Sequence, residues 1–431
     1  MKSCKINGMH PLLWIGCCII IIASVYLDVL PGDMVGAVAA CFGFGSIIVF
    51  LGDRIPIWNT YLGGGVLLCM FGGSALRYFH LLPERTVETL SNFIGPWGWM
   101  NTFIIFVIVG SVLSVSRKVL LNSIARYIPC ILAACLGAAL VATIIGALFG
   151  KTPGETLAFY VLPIMSGGSG AGALPLAQMF SEMTGADFDH YITIAMATLT
   201  LGDLFAVISA SILAKLTSGN PRINGNGKLM KSGKSHQQTA DKAFSVPEMK
   251  DLVHCLIIVF AVYMLSVIFS TKLLPSIAGA QIHMFAYAVI FSVILKLTNV
   301  LPENLVSALV YSQKYMISAF VVVQMFCCGV AYTDLATLIS CFASPATVLI
   351  CLGVILGAIL GGGLLGHLVG FYPYESAITS GLCMANAGGS GDVALLSSVK
   401  RMNLMPYAQI SSRIGNAIIL ILGSFIFAIL F

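Results

Sequence analysis

Apolar residues run along this chain in long blocks, at residues 11–30, 33–51, 57–76, 96–115, 127–150, 157–181, 190–216, 251–271, 276–298, 303–332, 342–369, 373–399 and 405–431. The blocks are unbroken and do not alternate with the period of two that marks barrel strands. About 20 apolar residues in a helix cross a bilayer core. The pattern therefore predicts an all-α polytopic membrane protein. One stretch departs from it. Residues 217–250 are polar and rich in Gly, Asn, Lys and Ser, and they predict a flexible cytoplasmic linker. The linker divides the chain into a tail and first helix (1–32), a first membrane half (33–216) and a second (251–431).

Composition strengthens this picture. Of 431 residues, 58% are hydrophobic and 9% are charged, against about 25% charged in a soluble domain. The net charge of +5 does not point to nucleic acid, because the positive residues lie in connecting loops without interleaved aromatics. The 13 cysteines are scattered, odd in number and without a C-x-x-C pair. They read as reduced core residues, not as a disulfide or metal framework. Lys2 and Lys5 ahead of an apolar run resemble a signal peptide, but the run lacks an A-x-A site, so a retained first helix is expected.

The most informative feature is a repeat. Ser166-Gly167-Gly168-Ser169-Gly170-Ala171-Gly172-Ala173-Leu174 in the first half matches Ala387-Gly388-Gly389-Ser390-Gly391-Asp392-Val393-Ala394-Leu395 in the second. Both contain G-G-S-G, two variable residues and Ala-Leu, and a long helix follows each. Loop charge sets their topology. If both glycine segments are re-entrant hairpins, near 157–181 and 373–399, eleven segments remain to cross. With the N-terminus inside, the cytoplasmic loops then hold Arg54, Arg117, Lys118 and Arg126, then Arg222, Lys228, Lys231, Lys234 and Lys242 of the linker, then Lys296, Lys400 and Arg401. The C-terminus falls outside. Arg77, Arg85 and Lys151 are the exceptions, offset by Glu84, Glu88 and Glu155. If both glycine segments crossed, the linker would lie outside, against the positive-inside rule. Five crossings plus one hairpin per half, after an extra N-terminal helix, make an inverted repeat of the secondary-transporter kind.

Bent backbone in hydrocarbon is tolerated only where it lines a cavity or meets a ligand. Glycine permits the bend. A helix restarting after each tip directs its N-terminal N–H groups at an anion, and unwound carbonyls suit a hard cation. Tight packing through small residues is the plain alternative. Arg413, in Gln409-Ile410-Ser411-Ser412-Arg413, either snorkels or clamps a carboxylate with its planar fork. Asp392 either caps the helix after the second tip or serves a site, and Asp203 is a second intramembrane carboxylate. Lys314 stays unassigned.

The stretch NAGGSGDVALLSSVKRMNLMPYAQISSRIG, with Gly167 to Leu176 in the first half, resembles the 2-hydroxycarboxylate transporter family of bacterial sodium–citrate and malate carriers. The resemblance covers nearly the whole chain, and Tyr407 to Arg413 is its most specific run. It implies a homodimer in the bacterial inner membrane with a scaffold and a moving, elevator-type transport part. It implies carriage of a di- or tricarboxylate bearing a 2-hydroxyl, driven by sodium or, alternatively, by protons or exchange. By matching motif positions, the substrate would meet Ser169, Gly170, Gly389, Ser390 and Arg413, and co-transported sodium would be held at Ile164 and Gly167 and at Cys383, Asn386 and Ser412. Two positions depart. Citrate carriers of the family carry an arginine where this chain has Ala387 and an asparagine where it has Ser169. A buried carboxylate without a partner is costly, so the departures imply a substrate smaller or less charged than citrate.

Gly389-Ser390-Gly391-Asp392 also reads as G-x-G-D, the second aspartate motif of intramembrane aspartyl proteases, whose chemistry needs two carboxylates sharing a proton. Its would-be partner, Asp334 in Tyr332-Thr333-Asp334, is spaced wrongly for that role. A channel is a further alternative, which saturable gradient-driven uptake would distinguish from a carrier.

Overall fold

Long apolar runs have one way to satisfy their backbone polar groups away from water, and helices supply it. The computed structural model describes residues 9–55, 64–115, 126–231, 246–274, 276–277, 280–386 and 388–430. Apart from turns and connecting segments these are helical, with a two-residue antiparallel ladder, Ser276–Ile277 with Ala280–Gln281, and an isolated bridge between Met230 and Phe371. Among the described residues, seven helices are long and apolar enough to cross a membrane, or eight if Glu84–Ile94 and Trp99–Ser114, bent by 43°, form one span. The chain is a multi-pass membrane protein. Its helices start where the sequence provides caps. Asp33 accepts from the N–H groups of Val35 and Gly36, and Ser344, ahead of Pro345, accepts from Thr347.

The structure divides into two compact units, Met1–Phe103 with Ser318–Leu338, and Ile104–Ile317 with Ile339–Phe431. In the first unit, glycines bring the Gly64–Tyr78 helix against the Glu303–Tyr332 helix. A Cβ at Gly329 would lie 2.1 Å from the Met70 carbonyl oxygen, and one at Gly73 would lie 2.9 Å from that of Phe326. The Cys41 and Cys327 thiols are 3.1 Å apart and both free. Two of the charge-rule exceptions have local uses here. Arg77 donates to the carbonyls of Val330 and Ala331 at 2.8 and 2.7 Å, capping a helix C-terminus. Arg85 pairs with Asp28 at 3.3 Å on the exposed surface.

The second unit holds both glycine segments. Its central contact is the crossing of the Tyr127–Leu148 and Pro345–Leu368 helices. A Cβ at Gly137 would lie 2.2 Å from the Gly357 carbonyl oxygen, and one at Gly357 would lie 2.1 Å from that of Gly137. Each glycine stands sixteen residues before the proline that opens a hairpin, Pro153 or Pro373. Leu132, Leu136, Leu140, Ile144 and Leu148 on one helix, and Leu356, Leu360, Leu364 and Leu368 on the other, form exposed stripes at four-residue spacing. Such stripes suit hydrocarbon.

The linker differs from the flexible segment its composition predicts, as far as it is described. Tyr372 and Tyr374 donate backbone N–H groups to the carbonyls of Leu229 and Ile223 at 2.9 and 3.1 Å, and Lys231 donates to Gly370 at 3.0 Å. Gly225 and Gly227 donate to the two oxygens of the buried Glu375 carboxylate at 2.8 and 3.0 Å. Polar composition predicted mobility, but these backbone bonds fix the strap over residues 223–231.

Candidate functional site

Hairpin A occupies residues 153–184. It opens on a capping box, in which Thr152 Oγ1 accepts from the Glu155 N–H and the Glu155 carboxylate accepts from the Thr152 N–H, both at 3.1 Å. Pro153 holds the first helical position. The ingoing arm passes through a π-helical turn, Leu157–Val161, to Leu162–Ile164. The chain then folds back, so that Phe159 on the ingoing arm packs against Phe180 on the outgoing arm with ring centroids 5.3 Å apart. The outgoing arm begins as a second π-helical turn, Ser169–Ala173, and continues as Leu174–Thr184. At its end Glu182 accepts from Gln178 at 2.7 Å and meets His283 at 2.8 Å. Burial pushes this carboxyl up, but the hydrogen bond and charge of His283 and the Gln178 bond outweigh it, and Glu182 lies below its ordinary value.

Hairpin B occupies residues 373–398 and repeats the plan. Pro373–Ser376 leads into a π-helical turn, Ala377–Leu382, then a tip, then the Gly389–Ser398 helix. Its ends return to one another, since Arg401 Nε lies 3.7 Å from the Glu375 carboxylate. The restarting helices begin at Ser169 and Gly389. Glycines cap both. Gly168 has φ 136° and ψ 165°, and Gly388 has φ 91° and ψ −152°. Only glycine occupies that region without strain.

The two tips touch. The Gly167 N–H donates to the Met384 carbonyl at 3.1 Å, and a Cβ at Gly388 would lie 3.2 Å from the Gly167 carbonyl oxygen. Hairpin B's tip closes on itself through side chains. Asn386 accepts from the Gly388 N–H and donates to Asp392 Oδ1, both at 2.9 Å. The Ser412 hydroxyl lies 2.6 Å from Asp392 Oδ2 and 3.2 Å from the Cys383 carbonyl. Asp392 therefore does not cap its helix. Gly388 holds the cap position, and Asp392, in the first turn, is fully buried as the acceptor for Asn386 and Ser412. Asp203 approaches from the Phe188–Thr217 helix, its Oδ1 3.0 Å from where a Cβ on Gly391 would stand.

The last span is broken where it meets the tips. Met405–Ile410 and Asn416–Leu430 are joined by a π-helical turn, Ser411–Gly415. That turn carries Ser412 and the half-buried Arg413, whose positive charge acts on Asp392. A Cβ on Gly167 would lie 2.7 Å from the Ser412 carbonyl oxygen, so the break also touches hairpin A. One turn on, Asn416 Nδ2 donates to the Ala171 carbonyl at 2.8 Å.

Of the residues expected to bind substrate, Ser169 and Gly170 are half-buried at the start of hairpin A's outgoing arm. Gly389 and Ser390 open the matching helix of hairpin B. Of the expected sodium ligands, Cys383, Asn386 and Ser412 come together around Asp392, and Gly167 lies against Ser412. Ile164 is buried in hairpin A and faces Gly202, where a Cβ would lie 2.8 Å from its side chain. Oxygen donors of this kind suit a hard cation. Ala387 lies outside the described residues. Asn416 and Tyr127 are additional polar groups here. Tyr127 is buried, with its hydroxyl 2.9 Å from Ser411 Oγ. A lone asparagine in Ile414-Gly415-Asn416-Ala417-Ile418 is a visible signal, since intramembrane polar residues are rarely idle. Asp334, the aspartate a protease reading would enlist, is held below the usual carboxylate range by the Thr337 hydroxyl and the Thr337 and Ala336 N–H groups of its own helix. It serves as a cap.

The model of the 2-hydroxycarboxylate transporter family matches residues 6–425. The citrate/sodium symporter of Salmonella typhimurium is 35% identical over 99% of this chain and 95% of its own length. That of Klebsiella pneumoniae matches with the same identity and coverage. The Na(+)-malate symporter of Bacillus subtilis is 30% identical over 95% of this chain and 90% of its own length. Among solved structures, a sodium proton antiporter from Methanocaldococcus jannaschii aligns over 91% of this chain and 96% of its own, with 13% identity and a TM-score of 0.38, too low to carry an argument. A family match from end to end, together with relatives at this identity and coverage, means that the chain belongs to the 2-hydroxycarboxylate transporter family.

Proposed function

We propose that this protein is a secondary active transporter that carries a 2-hydroxycarboxylate through the inner membrane by sodium symport, using an elevator-type alternating-access mechanism. The observation that carries the reading is the meeting of two glycine-capped tips against one broken helix, which brings Arg413, Ser412 and both restarting helices together. Helix N-termini and a guanidinium attract carboxylates. The cluster of the Cys383 carbonyl, Asn386, Asp392 and Ser412 offers oxygens to sodium. The names of the relatives, citrate/sodium and Na(+)-malate symporters, support the same substrate class and coupling ion.

The reading includes eleven crossings, the N-terminus inside, the C-terminus outside, and a homodimer. Loop charge supports the inverted halves. The reciprocal contact of Gly137 and Gly357 supports them too, because a residue meets its own repeat counterpart where a two-fold axis passes. The substrate is smaller or less charged than citrate, such as malate, since Ala387 stands where the family's citrate carriers offer a guanidinium to one carboxylate.

A thermal-stability screen of purified protein against hydroxy- and dicarboxylates, in sodium or potassium, tests the reading. A ligand of the folded state raises stability by mass action. A sodium-dependent shift with a 2-hydroxydicarboxylate is expected, and the double variant Ser169→Asn, Ala387→Arg should gain response to citrate. High-affinity citrate uptake by the unmodified protein in proteoliposomes, unaffected by malate, would overturn the substrate assignment. Uptake indifferent to a sodium gradient would overturn the coupling.

A further inference from the structure

Asn416 poses a bonding problem that the residues so far assigned do not solve. Its side chain is 4% exposed. Nδ2 donates to the Ala171 carbonyl at 2.8 Å, and because that carbonyl can only accept, the orientation of the amide is fixed. The other end, Oδ1, is then a buried acceptor with no hydrogen-bond partner. Leaving such an oxygen unmatched forfeits its hydration without replacing it, so a stranded group of this kind calls for a ligand. A carboxylate does not supply one, since its oxygens also accept. An organic hydroxyl or a water needs open space at the atom, and Oδ1 is closed to solvent. A bare monovalent cation is smaller than water and binds carbonyl oxygens.

The surroundings agree. Asn416 follows the π-helical turn that carries Ser412 and Arg413. Its amide is tied to Ala171 in the π-helical turn that begins hairpin A's outgoing arm. The neighbouring Gly172 lies against Ser166, where a Cβ would stand 2.3 Å from the Ser166 carbonyl oxygen. The Ser166 carbonyl of the hairpin A tip thus packs against the residue that follows Ala171, the partner of the Asn416 amide.

We propose that the Asn416 amide oxygen is a ligand for co-transported sodium on the hairpin A side, sharing the ion with backbone carbonyls of that tip. The proposal rests on the sodium-symport reading above. It assigns the last helix to both hairpins, through Ser412 to B and Asn416 to A.

The test measures sodium half-saturation twice, by thermal stabilisation of purified protein without carboxylate and by uptake into proteoliposomes. Asn416→Leu removes the oxygen at similar volume. It should raise sodium half-saturation about tenfold or more, as loss of a metal-supporting group does, while carboxylate half-saturation at saturating sodium changes less than about twofold. Asn416→Asp keeps an oxygen and loses the donor to Ala171. It should bind sodium at least as tightly as the unmodified protein. If Asn416→Leu yields no folded protein, Asn416→Asp decides alone, and weaker sodium binding in it overturns the proposal. Equal losses in both variants would assign Asn416 to structural tethering, and an unchanged sodium response in Asn416→Leu would likewise overturn the ligand role. An unmodified protein that ignores sodium removes the underlying reading as well. A sodium-responsive protein whose sodium half-saturation the Asn416→Leu substitution leaves unchanged removes only the role of Asn416.

Discussion

The two hairpins share a backbone and differ in chemistry. Both open on a proline, pass through a π-helical turn and restart from a glycine in a conformation that side chains avoid. Yet matching positions carry unlike groups. Ala171 of hairpin A corresponds to Asp392 of hairpin B, and the glutamate the two hairpins share lies in an exposed capping box at Glu155 but is buried under the strap at Glu375. In hairpin A the restarting turn is π-helical and meets the last span through a backbone carbonyl. In hairpin B it is α-helical and meets the last span through a buried carboxylate. The repeat supplies two glycine bends, while the substitutions within it decide where negative charge resides. Duplicated geometry with unduplicated charge suits a site whose ligands are an anion and a cation.

The largest test of this contrast is Asp392→Leu. It strands the buried Asn386 amide, at about 1–3 kcal/mol, and leaves the Ser412 hydroxyl to the Cys383 and Ala408 carbonyls. Uptake should fall by roughly two orders of magnitude or more, and Asp392→Asn should fall less. Full uptake by the leucine variant would make the charge difference between the tips incidental. Next come the shared caps. Gly168→Ala and Gly388→Ala each force a side chain into glycine-only backbone, at about 1–3 kcal/mol. Their losses in uptake should agree within about tenfold, and a wider gap would break the equivalence of the two bends. The smallest effect concerns the bases of the hairpins. Glu375→Ala strands two buried linker amides, whereas Glu155→Ala removes half of an exposed capping box. Chemical denaturation should show a loss of about 1–3 kcal/mol for the first and about 1 kcal/mol or less for the second. Equal losses would mean that the docked strap contributes nothing.

Much of this arrangement was legible in the sequence because its signals are coarse and physical. Unbroken apolar blocks announced membrane helices. The paired G-G-S-G runs announced two bends, and the sequence alone brought Cys383, Asn386 and Ser412 forward as a set through family resemblance. The role of Asp392 was not legible. A carboxylate early in a helix looks like a cap, and only the folded chain brings Ser412, twenty residues onward, to its second oxygen. The strap was missed for a related reason. Composition reports how poorly Ile223 to Lys231 could form a core of its own, but not that the base of hairpin B offers backbone donors and a buried carboxylate to receive it. The breaks in the last span were hidden too, since π-helical turns leave no pattern in hydrophobicity.

The reciprocal packing of Gly137 and Gly357 also bears on how such a chain can diversify. At the tips the duplicates have room to diverge, as Ala171 against Asp392 illustrates. At the helix crossing they do not, because a Cβ on either glycine runs into the backbone of the other. A methyl group acquired by one copy cannot be relieved by shrinking its counterpart, which has no side chain to lose. Substitutions can therefore change the chemistry of the hairpins one side at a time, whereas at this crossing a side chain on either glycine demands that two helices move apart.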